Sequence, residues 1–336
     1  MTPVKFAPDK QQPITIDWAP GNMCNFSCHY CDPNINDGSL PWHSYDDCVR
    51  FIKYVWEHIQ HPQTLNFNIH GGEPTLWPDL IPVCEYIKSL HNNNQIRLIS
   101  NGTRNTAWWT QNSNVIDRVI VSIHYGQSRK EQIAEKFNAV QASGIDVSMH
   151  IMMDVLHFEE CMSTYEYIYD NCPDIELLYK PVRETIAGST MQNYNPDQIA
   201  RMSALRGRHP HTTHQDASMF WHYADGTKRE VQNIERDVIL TRKNNWENWY
   251  CRVGVETLVV QHSGFIKNGS LCFMGVFQGH ISDKDHNLPF LPVQCKYDSC
   301  YCLADLQTTK TLDLEPGSQY IDTDIHKLTY KIATRN

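Results

Sequence analysis

The chain has 336 residues, of which 41% are hydrophobic, and a formal net charge of −9 at pH 7. This length and apolar content exclude wholesale disorder and allow a domain of about 200 residues beside a smaller one. The negative charge argues against a nucleic-acid binder that relies on bulk electrostatics. No apolar run reaches the roughly 18 residues of a membrane span, and residues 1–13 lack an apolar signal region. We therefore expect a cytoplasmic protein without a membrane partner.

Short β-rich runs alternate with helix-like segments from residue 14 to residue 183. The predicted strands are 14–18, 64–69, 95–100, 117–123, 145–153 and 175–181. The predicted helices between them are 44–59, 77–90, 105–114, 128–143 and 158–171. This alternation predicts an α/β fold whose parallel sheet curves into a partial (β/α)6 TIM-like barrel. In such a fold the chemistry lies at the carboxyl ends of the strands.

The alternation of strands and helices stops after residue 185. A helix is predicted at 195–208, a hairpin at 219–231 with its turn at Asp225-Gly226, and a second hairpin at 255–272. We therefore expect four segments: an N-terminal lead (1–13), the barrel (14–185), a connector with helix and hairpin (186–248), and a small C-terminal cysteine-rich hairpin domain (249–336). The connector also carries aromatic residues that either line a substrate pocket or pack a small domain, and four histidines whose spacing fits neither one helix face nor a zinc finger. These histidines are His209, His211, His214 and His222.

Twelve cysteines are many for a chain expected in a reducing compartment. Clustered cysteines there indicate metal binding or catalysis rather than disulfides. Two groups stand out, one at 24–31 and one at 251–302. The four scattered cysteines are predicted to be small, buried apolar residues; they are Cys48, Cys84, Cys161 and Cys172.

The first group, Cys24, Cys28 and Cys31, has C-x3-C-x2-C spacing and directly follows the first predicted strand. A structural zinc site needs four ligands, and His29, Asp32 or His43 could supply the fourth. A [4Fe–4S] cluster held by three thiolates instead keeps one iron open for another ligand. The position at the carboxyl end of a strand favours a reactive site.

Three further motifs close the next predicted strands. "HGGEP" (70–74) follows the second strand, "SNGT" (100–103) closes the third, and "VSIHY" (121–125) closes the fourth. Two glycines let the backbone approach a ligand closely. The carboxylate of Glu73 suits an ammonium group.

These four motifs, in this order, resemble those of the radical S-adenosylmethionine (radical SAM) superfamily over roughly residues 12–183. The resemblance implies that the three cysteines hold a [4Fe–4S] cluster whose open iron is chelated by SAM. The reduced cluster then cleaves SAM to methionine and a 5′-deoxyadenosyl radical, which abstracts hydrogen from the substrate. An electron donor of the flavodoxin or ferredoxin type is also implied. The resemblance places these residues around SAM: Tyr30 at the adenine, Gly71, Gly72 and Glu73 at the amino group, and Ser100, Asn101 and Ser122 near the ribose and carboxylate.

The second cysteine group has the spacing C-x20-C-x22-C-x4-C-x-C. Its members are Cys251, Cys272, Cys295, Cys300 and Cys302. One interpretation is a zinc-stabilised C-terminal domain. The other is an auxiliary [4Fe–4S] cluster, since the pattern is similar to the twitch domain, the short form of the SPASM extension. The chain departs from that pattern at Lys267, where a glycine is usual, and in its last cysteine spacing. Four ligands suffice for one cluster, so we expect a spare cysteine, either Cys300 or Cys302, and leave open whether protein fills every position.

Twitch and SPASM relatives act on peptides and on small molecules. The resemblance favours a radical SAM oxidoreductase that modifies a peptide, as in the maturation of ribosomal peptides. The alternatives are oxidation or rearrangement of a small metabolite (a sugar, cyclitol or nucleotide), or a non-catalytic, metal-stabilised binding protein. The sequence identifies no catalytic acid or base.

Overall fold

The structure, a computed structural model, describes residues 2–58, 64–126, 129–183, 192–205, 207–208, 218–231, 234–269, 272, 277–300, 302–324 and 329–335. Its contacts divide the chain into two compact units. Unit 1 comprises Met1–Trp18, Asp46–Asn66 and His214–Asn336, and unit 2 comprises Ala19–Tyr45 and Phe67–Thr213. The domain boundaries expected from the sequence stay predictions.

The predicted strands and helices of the first half are present as β2–β7 and α1–α5. The strands are β1 Pro3–Pro8, β2 Ile14–Trp18, β3 Leu65–Ile69, β4 Gln95–Ser100, β5 Arg118–Ile123, β6 Asp146–Met153, β7 Glu176–Pro181, β8 Met219–Tyr223, β9 Lys228–Val231, β10 Tyr250–Cys251, β11 Thr257–Val260, β12 Phe265–Lys267, β13 Phe277–His280, β14 Val293–Gln294, β15 Lys310–Thr311, β16 Gln319–Asp324 and β17 Thr329–Thr334. The α-helices are α1 Tyr45–His58, α2 Leu80–Leu90, α3 Thr106–Gln111, α4 Lys130–Ala142, α5 Phe158–Asn171, α6 Pro196–Ala204 and α7 Leu303–Leu306. Short 3-10 turns occur at Pro33–Ile35, Pro74–Leu76 and Val155–His157, and a π-helical turn at Glu235–Ile239.

Unit 2 contains the parallel sheet. Strands β4, β5, β6 and β7 pair in parallel and in sequence order. Helix α4 buries Ile133, Phe137 and Val140, whose spacing of three to four residues forms one apolar stripe. The predicted α/β class is confirmed. Among the described residues, β7 pairs with β6, and Leu177 of β7 also forms an isolated antiparallel bridge with Arg208.

Unit 1 holds an eight-stranded sheet in the order β17-β16-β14-β10-β15-β1-β8-β9. The predicted hairpins are present as β8–β9 and β11–β12, each antiparallel. Strand β1 corrects the prediction that the first strand begins at residue 14. Prolines at both of its ends give it the local pattern of a loop. Tertiary contacts nevertheless stabilise a strand here, because β1 pairs with β8 and β15 and the Phe6 ring packs 4.7 Å from the Trp221 ring, centroid to centroid.

The connector helix is shorter than predicted. Helix α6 begins at Pro196 behind a capping box formed by Asn195 and Gln198, and ends at Ala204. Trp221 and Trp246 pack with Phe6 in the core of unit 1. His222 lies in β8, whereas the other three connector histidines lie outside the described residues. The four scattered cysteines are buried, as predicted. None of the helices in the described ranges is both long and apolar enough to cross a bilayer.

Candidate functional site

The three cysteines of the C-x3-C-x2-C loop lie in unit 2, and each thiol is partly exposed. Burial, together with the nearby Cys28 and Cys24, raises the pKa of Cys31 to about 11. Burial also raises the pKa of Cys28, where Cys24 again adds to the effect. Repulsion of this kind between thiolates requires proximity. The three cysteines of this loop therefore lie close enough to interact electrostatically.

The donor set of this loop suits an iron–sulfur cluster with a vacant position. Thiolates are the usual cluster ligands, and three of them occupy three of the four irons. Among the described residues, no group of three or more His, Cys, Asp and Glu side chains stands in the arrangement of a single metal ion site.

The "HGGEP" loop lies directly against the start of the cysteine loop. Gly72 has φ of +46°, and a Cβ there would lie 2.2 Å from the carbonyl oxygen of Met23. The Glu73 amide donates a hydrogen bond to the same oxygen, at 2.8 Å. A side chain at position 72 would overlap the backbone of Met23, so only a glycine allows this approach. Because Met23 precedes Cys24, the contact lies at the start of the cysteine loop.

The Glu73 carboxylate is fully buried and accepts four hydrogen bonds. Oε1 accepts from the amide of Thr75 at 3.0 Å, the Thr75 hydroxyl at 2.6 Å and the Ser100 hydroxyl at 2.8 Å. Oε2 accepts from the Asn101 amide at 2.7 Å. Glu73 therefore clamps its own loop to the end of β4, whatever part it takes in binding a ligand.

Replacing Glu73 with Gln is expected to destabilise the ligand-free protein by about 1–3 kcal/mol. Both carboxylate oxygens face a backbone N–H, so either orientation of the amide points its NH2 group at a donor. Urea unfolding of the iron-free protein measures the effect. The matched control is Glu85→Gln on the exposed face of α2. Equal stability of the two variants would show that the clamp contributes nothing.

Asn101 joins the end of β4 to the cysteine loop. Its Nδ2 donates to Oδ1 of Asn25 at 2.8 Å and lies 3.9 Å from the Cys24 sulfur. Its Oδ1 accepts from the amide and hydroxyl of Thr103. Ser122 lies one strand further, partly exposed, opposite His150 in the β5–β6 register. The predicted Ser100 and Asn101 thus meet the first cysteine and Glu73, and Ser122 lies on the neighbouring strand.

Tyr30 contacts a residue that the sequence analysis did not assign to the site. Its hydroxyl hydrogen-bonds to Nδ1 of His124, and the two rings stack at 5.8 Å. Burial lowers the pKa of His124 to about 4, so this imidazole is neutral at pH 7 and its Nδ1 can accept the phenolic proton. The Cys28 sulfur lies 3.5 Å from the same nitrogen. The available signal was the position of His124 directly after β5, within "VSIHY".

A second contact holds the cysteine loop at His29. Nε2 of His29 lies 2.9 Å from Oδ2 of Asp154, a buried residue directly after β6. Oδ1 of Asp154 accepts from the Leu156 amide, which holds the carboxylate in place. No local pattern links residues 125 positions apart, so sequence reasoning left His29 as an optional zinc ligand.

Four of the five C-terminal cysteines line one cavity in unit 1. They are Cys251, Cys272, Cys295 and Cys300, and the remaining described lining residues are Trp246, Val253, Val293, Asp305 and Lys310. Cys302 instead stands at the N-cap of α7. Burial raises the pKa of Cys300 to about 12, and the nearby Cys251 contributes to this increase.

Backbone hydrogen bonds hold these cysteines in place. Cys251 lies in β10, between β14 and β15. The Cys295 amide donates to the Trp249 carbonyl at 2.8 Å. The side chain of Asn244 donates to the Cys300 carbonyl, and the Cys300 amide donates back to the Asn244 carbonyl, both at 3.0 Å. The chemistry of this set, four thiols with apolar walls and a buried cation, fits a closed cluster.

Comparisons with known proteins match the part of the chain that carries the first cysteine group. Residues 18–168 match the family model of the Radical SAM superfamily. The GTP 3′,8-cyclase of Pasteurella multocida (strain Pm70) is 35% identical over 85 residues, which are 25% of this chain and 24% of that protein. The GTP 3′,8-cyclase of Actinobacillus succinogenes is 34% identical over 85 residues, with the same shares of each chain. The chain therefore matches about a quarter of the length of these curated relatives.

Among solved structures, the chain is similar to native anSMEcpe with bound AdoMet. The TM-score is 0.51 at 15% identity, with 81% of this chain and 78% of that chain covered. A likeness at this identity shows the fold. Together with the family match, it confirms the predicted fold class and the predicted resemblance.

Proposed function

Since residues 18–168 match the family model of the Radical SAM superfamily, we propose that the protein is a radical SAM enzyme that binds SAM and two [4Fe–4S] clusters. The observation that carries the proposal is the arrangement in unit 2 of three neighbouring thiols against the Gly71–Glu73 loop and the end of β4. When bound and reduced, the first cluster supplies the electron that cleaves SAM.

The residues around the cysteine loop hold SAM in this proposal. Gly72 keeps the loop backbone close to Met23, and Gly71 keeps it close to Ala19 and Gly21. Asn101 offers its amide beside Cys24. Tyr30, oriented by His124, takes the adenine side. Glu73, Ser100 and Ser122 complete the set that the family resemblance implies.

The auxiliary cluster occupies the cavity of unit 1. Cys251, Cys272, Cys295 and Cys300 are its ligands, supported by their shared cavity. Cys302 is the spare cysteine, supported by its separate position at the start of α7. Four protein thiolates close the cluster, which suits electron transfer or structural support rather than substrate binding.

The substrate is a peptide in the function we favour, as the twitch-like cysteine pattern suggests. A small metabolite, in particular a nucleotide, is the second candidate, because the chain resembles two proteins named GTP 3′,8-cyclase over 85 residues. A flavodoxin- or ferredoxin-type protein supplies electrons. A cytoplasmic location completes the proposal, since a reducing compartment keeps these thiols free for iron.

Reconstitution under anaerobic conditions tests the function. The purified protein should bind about eight irons and about eight sulfides, and release 5′-deoxyadenosine from SAM when reduced. Stoichiometric zinc without sulfide would contradict the proposal. Deuterium transfer into 5′-deoxyadenosine from deuterated peptides, compared with deuterated nucleotides, then separates the two substrate classes.

A further inference from the structure

Lys310 is a fully buried lysine beside the C-terminal cysteines. Its side chain is 1% exposed, and it opens β15 directly opposite Cys251 of β10. Burying an ammonium group costs free energy unless other charges or dipoles replace its water. Groups around Lys310 must therefore stabilise its positive charge.

Backbone carbonyls and a hydroxyl accept the hydrogen bonds that Lys310 can donate. These groups carry no net charge, so they do not neutralise the charge of Lys310. Nζ donates to the carbonyls of Asp305 at 2.7 Å, Thr308 at 2.9 Å and Leu306 at 3.2 Å, and approaches the Thr308 hydroxyl at 3.1 Å. It also lies 5.2 Å from the ring centroid of Trp246, a cation–π contact. None of the ion pairs between described residues involves Lys310.

The cavity next to Lys310 is rich in potential negative charge. Four cysteines line it, and the buried Asp305 adds a carboxylate whose Oδ1 faces Gly269. Lys310 is the single basic residue among the described residues of the lining.

We propose that Lys310 is the buried counter-cation of the auxiliary cluster: it favours binding of the anionic cluster and raises its reduction potential. The inference rests on the auxiliary cluster of the proposed function. A [4Fe–4S] cluster with four thiolate ligands is an anion, and reduction adds a further negative charge. A fixed positive charge nearby stabilises the reduced form more than the oxidised form. All protons of Nζ are already donated to oxygen atoms, so Lys310 acts through its charge.

The test uses the full chain with Cys24, Cys28 and Cys31 replaced by Ala, so that only the auxiliary cluster is reconstituted. In this background Lys310→Met is compared with Lys310→Arg and with Lys296→Met, which removes a lysine paired with Asp322 at 2.8 Å. Spectroscopic redox titration should show a reduction potential for Lys310→Met that is lower than that of the parent by at least about 59 mV, which is a tenfold weaker electron affinity for a one-electron couple. Lys310→Arg and Lys296→Met should keep the potential of the parent.

Two outcomes separate failure of this inference from failure of the proposed function. If the parent with three alanines binds no iron, the auxiliary cluster itself is absent. If Lys310→Met keeps its iron and its potential, Lys310 serves only to cap α7. If Lys310→Met does not hold a cluster, thermal unfolding of the iron-free proteins distinguishes a counter-cation from a purely structural lysine. A counter-cation predicts that iron-free Lys310→Met still unfolds cooperatively and that Lys310→Arg keeps the cluster, whereas a purely structural role predicts that Lys310→Met no longer folds.

Discussion

Replacing Cys28 with Ala is expected to remove about four of about eight bound irons and all cleavage of SAM. With Cys28 absent, the loop offers two thiolates to a cluster that needs three protein ligands and one open iron. The sulfur lies 3.5 Å from Nδ1 of His124, the same nitrogen that the Tyr30 hydroxyl contacts. Iron and sulfide analysis, together with chromatographic detection of 5′-deoxyadenosine, measures the result.

Two control variants show whether the loss is specific. Cys84→Ala removes a fully buried thiol from α2 and should keep all of its iron and SAM cleavage. Replacing Cys251 and Cys295 together should remove the other four or so irons, while SAM cleavage persists. If the replacement of either cysteine group abolishes all iron binding, the two sites are not independent clusters and the assignment is wrong.

Local patterns predicted most of the fold. Strands β2–β7 and helices α1–α5 follow from short apolar runs, helix periodicity and turn residues, which act over a few positions. Strand β1 escaped prediction because its stability comes from β8 and β15, which lie more than 200 residues away in sequence. The predicted helix at 195–208 ended four residues early, at Ala204, since helix ends depend on tertiary contacts more than helix interiors do.

The residues of the candidate site were likewise predicted only in part. Gly71, Gly72 and Glu73 could be identified because they are contiguous and follow a strand. The contacts of His124 with Tyr30 and of His29 with Asp154 join residues 94 and 125 positions apart, and no spacing rule connects them. The burial of Lys310 was equally hidden, because a lysine in sequence is expected at the surface. Sequence therefore indicated which chemistry to expect, and packing determined which groups support it.

Gly72→Ala is expected to abolish binding of the first cluster and SAM cleavage while leaving the auxiliary cluster in place. The new Cβ would lie 2.2 Å from the oxygen and 2.7 Å from the carbon of the Met23 carbonyl. These are backbone atoms, so no side-chain rotation relieves the overlap and the chain before Cys24 has to move. We expect a loss of about 3 kcal/mol in stability and of about four irons, measured by urea unfolding and iron analysis.

The matched control for Gly72→Ala is Gly144→Ala. Gly144 also has positive φ, +103°, but nothing lies within 4 Å of the position its Cβ would take. This variant therefore isolates the backbone cost of an alanine with positive φ, about 1–2 kcal/mol, and should keep all of its iron. If the two variants lose equal stability and both retain every iron, the contact between Gly72 and Met23 does not hold the cysteine loop. If Gly72→Ala alone loses iron, that contact positions the first ligand of the cluster.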